Sequence, residues 1–184
     1  MDEARHPYAT ALIGDSEALN RRLSAALEEL SDSLPSQVTN APSGRAVFQQ
    51  KWLSPPDLHR QGPPVFRDLA LRIERFANLR TVRRGTDAPL RIQSMWGMIS
   101  QPEMEGQRHT HGHSVSAVYY VDAGGSSKAD GGVLQFFAER GLTEPSHVIV
   151  PKSGLLVIFP SRLPHAVSRY ESARPRTAVS ASME

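Results

Sequence analysis

Arg108-His-Thr-His-Gly-His-Ser-Val-Ser-Ala-Val-Tyr-Tyr-Val121 places three imidazoles, His109, His111 and His113, directly before a run of β-branched and aromatic residues. Val115 to Val121 reads as a strand, because branched and aromatic side chains fit a pleated, half-buried surface. Outward from it, further short apolar runs follow at Val133 to Phe137, His147 to Val150, Leu155 to Phe159, His165 to Tyr170 and Arg176 to Met183. Gly, Pro and Ser separate most of them. Upstream, Leu90, Ile92, Trp96 and Met98 alternate with Arg91, Gln93 and Gly97, giving one more strand.

The pattern ahead of Leu90 has a different period. Leu19, Leu23, Ala26, Leu27 and Leu30 form one helical stripe, with Asp15 or Ser16 placed to cap it. A second helix presents Phe66, Leu69, Ile73 and Phe76 on one face. Ser33 to Gly44 is rich in Pro, Ser and Asn and reads as loop. Two helices followed by about seven short strands predict a mainly β (α+β) fold. The expected form is a sandwich or barrel with the N-terminal helices packed on the outer face of one sheet. We expect a single domain over 1–184, with a helical buttress at about 1–85 and a barrel at about 88–184.

Composition narrows the function. The chain has 184 residues, enough for a real core, with 39% apolar and 22% charged residues. It contains no cysteine, which excludes disulfides, thiolate metal sites and a cysteine nucleophile. No long apolar run predicts a membrane span, and Met1 to Thr10 lacks a secretory apolar region. A cytoplasmic protein is the expectation. The net charge is +2, and the pairs Arg21-Arg22 and Arg83-Arg84 are isolated, so no nucleic-acid surface is expected.

His109 and His111 stand at i and i+2, which in an extended chain aims both at one point. A metal needs such convergence, with donors about 2 Å from the ion. His165, after the turn Phe159-Pro-Ser-Arg-Leu-Pro164, can supply a third nitrogen. Short histidine runs also occur in surface loops, and a single apolar-strand histidine is often a core residue. His113 is a rival ligand, and Glu103 or Glu105 can supply a carboxylate instead.

The segment from about Trp96 to the end resembles the iron(II)/2-oxoglutarate oxygenases. More narrowly, it is similar to a family of small bacterial proteins of that superfamily. The resemblance rests on an ordered set: His109-Thr-His111, Ser116-Ala-Val-Tyr-Tyr-Val121, Gly132-Val-Leu-Gln-Phe136, Pro151-Lys-Ser-Gly154, Phe159-Pro-Ser161, His165-Ala-Val167 and Arg176-Thr-Ala-Val-Ser180. It implies a double-stranded β-helix, a cupin-like jelly roll, that holds Fe(II) and 2-oxoglutarate and uses molecular oxygen. It also implies His109, His111 and His165 as metal ligands, with His111 where the superfamily more often has a carboxylate. Arg176 would meet the distal carboxylate of 2-oxoglutarate, with Arg174 as alternative. Tyr120, preferred to Tyr119, would add a hydrogen bond, and Ser180 a minor one. Met98 stands where relatives carry Asn in a Trp-x-Asn strand.

The expected reaction is hydroxylation of a small molecule, coupled to conversion of 2-oxoglutarate into succinate and carbon dioxide. Two alternatives stay open at this level. One is a three-histidine dioxygenase that does not use 2-oxoglutarate; the other is a barrel that only binds a ligand. Barrels of this kind commonly dimerise, so a homodimer through the N-terminal helices is a further expectation.

Overall fold

A computed structural model describes residues 7–36, 51–80, 88–138 and 143–184 of the chain. Arg83-Arg84 and most of the Ser33–Gly44 segment lie outside the described residues. In chain order the elements are β1 (Ala9–Leu12), α1 (Ser16–Ser33), β2 (Lys51–Leu53), α2 (Leu58–Gln61), α3 (Pro64–Arg80), β3 (Ile92–Ser100), β4 (Gly106–His109) and β5 (Val115–Asp122). They continue with β6 (Leu134–Phe136), β7 (His147–Ile149), β8 (Leu155–Pro160), β9 (His165–Val167) and β10 (Arg176–Met183).

The strands form two antiparallel sheets. The larger has the order β1-β8-β5-β10-β3-β2, the smaller β4-β9-β6-β7. Jumps between strands distant in sequence are the mark of a jelly roll rather than a meander. The larger sheet is buried on both faces. Its outward residues, among them Met95, Tyr119, Ile158 and Val179, pack with Leu23, Leu27, Phe66 and Ile73 of the helices. Its inward residues, among them Tyr120, Val157, Phe159 and Ala178, meet Leu134 and Phe136 of the smaller sheet. The expected helical buttress is therefore present, on the expected face.

Several local expectations are corrected. The short strands β1, β2 and β4 and the single turn α2 were not legible. β1 and β2 are edge strands of the larger sheet, and β4 is a polar edge of the smaller one, so hydrophobic alternation is weak in all three. Asp15 does stand at the N-cap of α1, but with φ of 57° and no side-chain cap bond. In β3, the alternation was read as continuous from Leu90 to Met98. A register shift opposite Ser182/Met183 pairs Ile92 with Met183 and Ser94 with Ser182, leaving Gln93 as an extra residue. Ile92 therefore joins the helix-side core while Met98 packs on the inner side.

Gly97 lets α1 approach the larger sheet. A Cβ there would sit 2.1 Å from Cδ2 of Leu27, which is itself fully buried. Gly97→Ala should therefore destabilise the fold by about 1–3 kcal/mol, the usual cost of overpacking a core. A melting temperature lower by roughly 2–12 °C checks this. Among the described residues, no helix is long and apolar enough to cross a membrane.

Candidate metal centre and co-substrate pocket

The end of β4 lies against the start of β9, and the register sets His109 directly opposite His165. Directly opposed residues share a face of the sheet. Their rings accordingly lie 4.3 Å apart, centroid to centroid. His111 follows two residues beyond the strand end. Its backbone N–H donates to the carbonyl of Ser161 at 2.8 Å, which hooks the histidine loop onto the end of β8. Ser161 is fully buried and shares a hydrogen bond of 2.7 Å with Ser116. Phe159 packs edge-on against His165, with centroids 4.8 Å apart. The Phe159-Pro-Ser161 motif thus steadies two of the three imidazoles.

One ring nitrogen from each of His109, His111 and His165 lies within 4.8 Å of the others. Three donors about 2 Å from one ion stand about 3 Å apart, so the imidazoles would draw together around a bound metal. The tautomers suit a metal. Nδ1–H of His109 donates to the carbonyl of Gln107 at 2.7 Å, and Nδ1–H of His165 donates to that of Leu163 at 2.8 Å. A carbonyl can only accept, so each Nε2 carries a free lone pair, as in metal-bound histidines whose other ring nitrogen donates to a carbonyl. Burial, then the neighbouring histidines His109 and His113, lowers the pKa of His111 to about 4. Burial foremost lowers that of His165 to about 4, against the opposing effect of its Leu163 hydrogen bond. Both are neutral donors at pH 7, ready for a cation without first losing a proton.

The rival ligands lie elsewhere. His113 turns towards Glu184, with Nδ1 3.7 Å from Oε1. Glu103 pairs with Arg169, and Glu105 is exposed. Among the described residues, no carboxylate joins the three histidines. The donor set is all nitrogen, which suits iron, zinc, copper or nickel.

Beside the histidines, a cavity of about 140 Å³ opens between the two sheets. Its lining includes Trp96, Met98, Tyr120, Arg176 and Ser180 together with the three histidines. Arg176 opens β10 and is buried; its Nη1 donates to the carbonyl of Gly132 at 2.5 Å. Gly132 has φ of +69°, and a Cβ there would lie 2.6 Å from the ring of Tyr170, so the position requires glycine. Among the described residues, no acid pairs with Arg176. Burial lowers its pKa from the ordinary value, opposed by the nearby Tyr120 and Tyr170.

Arg174 points away, 3.6 Å from Asp122 and largely exposed. Tyr119 and Tyr120 face opposite sides: the Tyr119 hydroxyl donates to Asn20 of α1 at 2.6 Å, whereas Tyr120 lines the cavity. Burial raises the Tyr120 hydroxyl to about 12, so it stays a hydrogen-bond donor at neutral pH. The Ser180 hydroxyl lies 4.0 Å from the Met98 sulfur. Trp96 lines the cavity as well. Missed from the sequence were the apolar or neutral lining residues Met104 and Gly106 and, more consequentially, a charged one, Lys51 of β2. No motif surrounds it, and its three-residue strand carries no periodic signal.

A two-sheet barrel with a cluster of histidines at its rim and a buried arginine fits the iron(II)- and 2-oxoglutarate-dependent oxygenases, with His111 in the place their carboxylate more often takes. Residues 94–182, just under half of the chain, match the family model described as "Putative 2OG-Fe(II) oxygenase", which indicates an iron(II)- and 2-oxoglutarate-dependent oxygenase. No curated protein matches the chain.

Solved structures share the fold. A Pseudomonas putida prolyl-4-hydroxylase superposes with a TM-score of 0.70 at 20% identity, covering 98% of this chain and 94% of its own. A Trichoplax adhaerens prolyl hydroxylase, in complex with a hypoxia-inducible-factor peptide fragment, gives 0.72 at 14% identity, covering 97% and 84%. HygX from Streptomyces hygroscopicus, with nickel and 2-oxoglutarate bound, gives 0.66 at 14% identity, covering 96% and 82%. At these identities the likeness speaks for the fold, while the indication of the family comes from the sequence match.

Proposed function

We propose that the protein is an oxygenase in which His109, His111 and His165 hold iron(II) and Arg176, Tyr120 and Ser180 seat 2-oxoglutarate, with a small organic molecule as substrate. The observation that carries this reading is the single cavity that joins a converging set of neutral imidazoles to a buried guanidinium without an acid partner. A buried cation without a counter-charge is costly, and a dicarboxylate supplies what this one lacks. Planar guanidinium grips a carboxylate through two parallel hydrogen bonds.

Bound iron(II), with 2-oxoglutarate and molecular oxygen, supplies an oxidation that yields succinate, carbon dioxide and an oxygenated substrate. The chain's own groups bind, orient and exclude water. Carbonyls of Gln107 and Leu163 fix the imidazole tautomers. Phe159, Leu134 and Val167 keep the wall beside the histidines apolar. His109 is exposed, so a substrate would approach over this imidazole. A cavity of about 140 Å³ is small beside the roughly 300–1,000 Å³ of drug-sized ligand sites, which favours a small organic acid within it and the substrate at its mouth.

The test is succinate formation from 2-oxoglutarate under air with Fe(II) and ascorbate, comparing wild type with His165→Ala. Succinate from the wild type alone supports the reading. If neither protein forms succinate and 2-oxoglutarate gives no charge-transfer band with the iron-loaded wild type, the co-substrate assignment fails. Oxygen uptake with an organic substrate but no succinate would then identify a three-histidine dioxygenase, a reading favoured by the lack of a carboxylate among the ligands.

The two neighbouring tyrosines should differ. Tyr120→Phe removes a hydroxyl from the cavity and should weaken 2-oxoglutarate binding by roughly 3–10-fold, about one hydrogen bond. Tyr119→Phe, on the helix side, should leave that affinity unchanged. Titration calorimetry of both variants distinguishes them.

A further inference from the structure

Lys51 reaches the same cavity from the edge of the larger sheet. The register explains how. Lys51 stands opposite Ser100 in the β2–β3 ladder, and Arg176 stands opposite Ser100 in the β3–β10 ladder. Directly opposed residues share a face, so Lys51 and Arg176 flank Ser100 on the cavity side, two strand spacings of about 4.8 Å apart. Ser100 is too short to separate two such long side chains.

Among the described residues, no Asp or Glu lines the cavity and no acid pairs with either cation. Burial first, and then the charge of Arg176, lowers the pKa of Lys51 to about 8. Two like charges held together out of water are unfavourable alone and favourable around an anion. The inward-facing side chains that surround the pair are apolar or neutral: Met98 on β3, Ala178 on β10 and Tyr120 on β5. A ligand anion would supply the counter-charge that the described residues lack. A carboxylate has two oxygens and about four acceptor positions, enough for a guanidinium and an ammonium at once.

We propose that Lys51 and Arg176 together clamp the distal carboxylate of 2-oxoglutarate, making the co-substrate subsite a two-cation clamp built from the first and last thirds of the chain. This rests on the co-substrate reading above and adds to it a binding residue from outside the matched barrel segment.

The test is titration calorimetry on Ni(II)-loaded protein, which binds without turning over. Two probes are used: 2-oxoglutarate, and oxalate, which chelates the metal but has no distal carboxylate. Wild type, Lys51→Met and Lys51→Arg are compared. The expected result is at least a tenfold loss of 2-oxoglutarate affinity in Lys51→Met, with oxalate affinity unchanged, and recovery of most of the loss in Lys51→Arg. Equal 2-oxoglutarate affinity in wild type and Lys51→Met overturns the clamp. So does a parallel loss of both probes, which marks a structural role. A wild type that binds oxalate but not 2-oxoglutarate overturns the co-substrate reading itself, and is thereby distinguished from failure of Lys51 alone.

Discussion

His165→Ala should abolish succinate formation and weaken iron binding by roughly a thousandfold, beyond the 10–100-fold typical of losing a group that only hydrogen-bonds a metal ligand. His165 is the most buried of the three imidazoles and stands in β9, inside a ladder with β4 and β6 on either side. Among the described residues no other donor joins the group: His113 lies beside Glu184, and Glu103 pairs with Arg169. The metal-free variant forfeits the hydrogen bond to Leu163, worth about 1 kcal/mol, and the ring contact with Phe159, a loss of packing that should lower its stability modestly. The two effects separate cleanly in a melting experiment. Iron at 100 times its dissociation constant should stabilise wild type by about 2.7 kcal/mol. The same iron concentration should leave the melting temperature of His165→Ala where it was. A variant that melts far below wild type without metal would instead mark His165 as a core residue.

Arg176→Met carries the second large effect, and its stability and binding consequences should diverge. Methionine keeps the length and much of the apolar volume but removes the charge. Removing a buried charge that has no acid partner relieves a desolvation cost, while the carbonyl of Gly132 loses its donor, a cost of about 1–3 kcal/mol. These oppose each other, so the ligand-free melting temperature should move by only a few degrees. Binding has no such compensation. Losing one partner of a buried charge pair costs about 2–5 kcal/mol, so affinity for 2-oxoglutarate should fall by roughly 30- to 5,000-fold. Calorimetry and thermal melting on the same sample check both halves. A strong fall in stability with unchanged affinity would place Arg176 in the scaffold and not in the subsite.

Local patterning carries much of this molecule. The stripe from Leu19 to Leu27 determines which face of α1 is buried, because a helix has only one apolar stripe to hide. The alternation within β5, β8 and β10 determines which side chains share a face, because successive residues of a strand point to opposite sides. The order of motifs from His109 to Ser180 carries the class of the barrel, and the i, i+2 spacing brings His109 and His111 together. Alternation assigns parity, however, and says nothing about which side of a sheet faces which neighbour. That Tyr119 meets Asn20 while Tyr120 enters the cavity was decided when α1 packed on the larger sheet. The bulge at Gln93, which reverses the sense of β3 part-way, arises from its register with β10 and leaves no trace in residue type.

The site shows the same division. Sequence supplies the imidazoles, but three of them compete within five residues, and only the ladder that sets His109 opposite His165 draws in His111 and leaves His113 outside. Lys51 was out of reach of any reading along the chain. It lies on a three-residue strand, and its relation to Arg176 exists only through Ser100, paired with each across separate ladders. Side-chain periodicity is a local property that the sequence by itself determines. Strand partnership depends on burial summed over the whole fold, so the tertiary structure alone decided which charges meet.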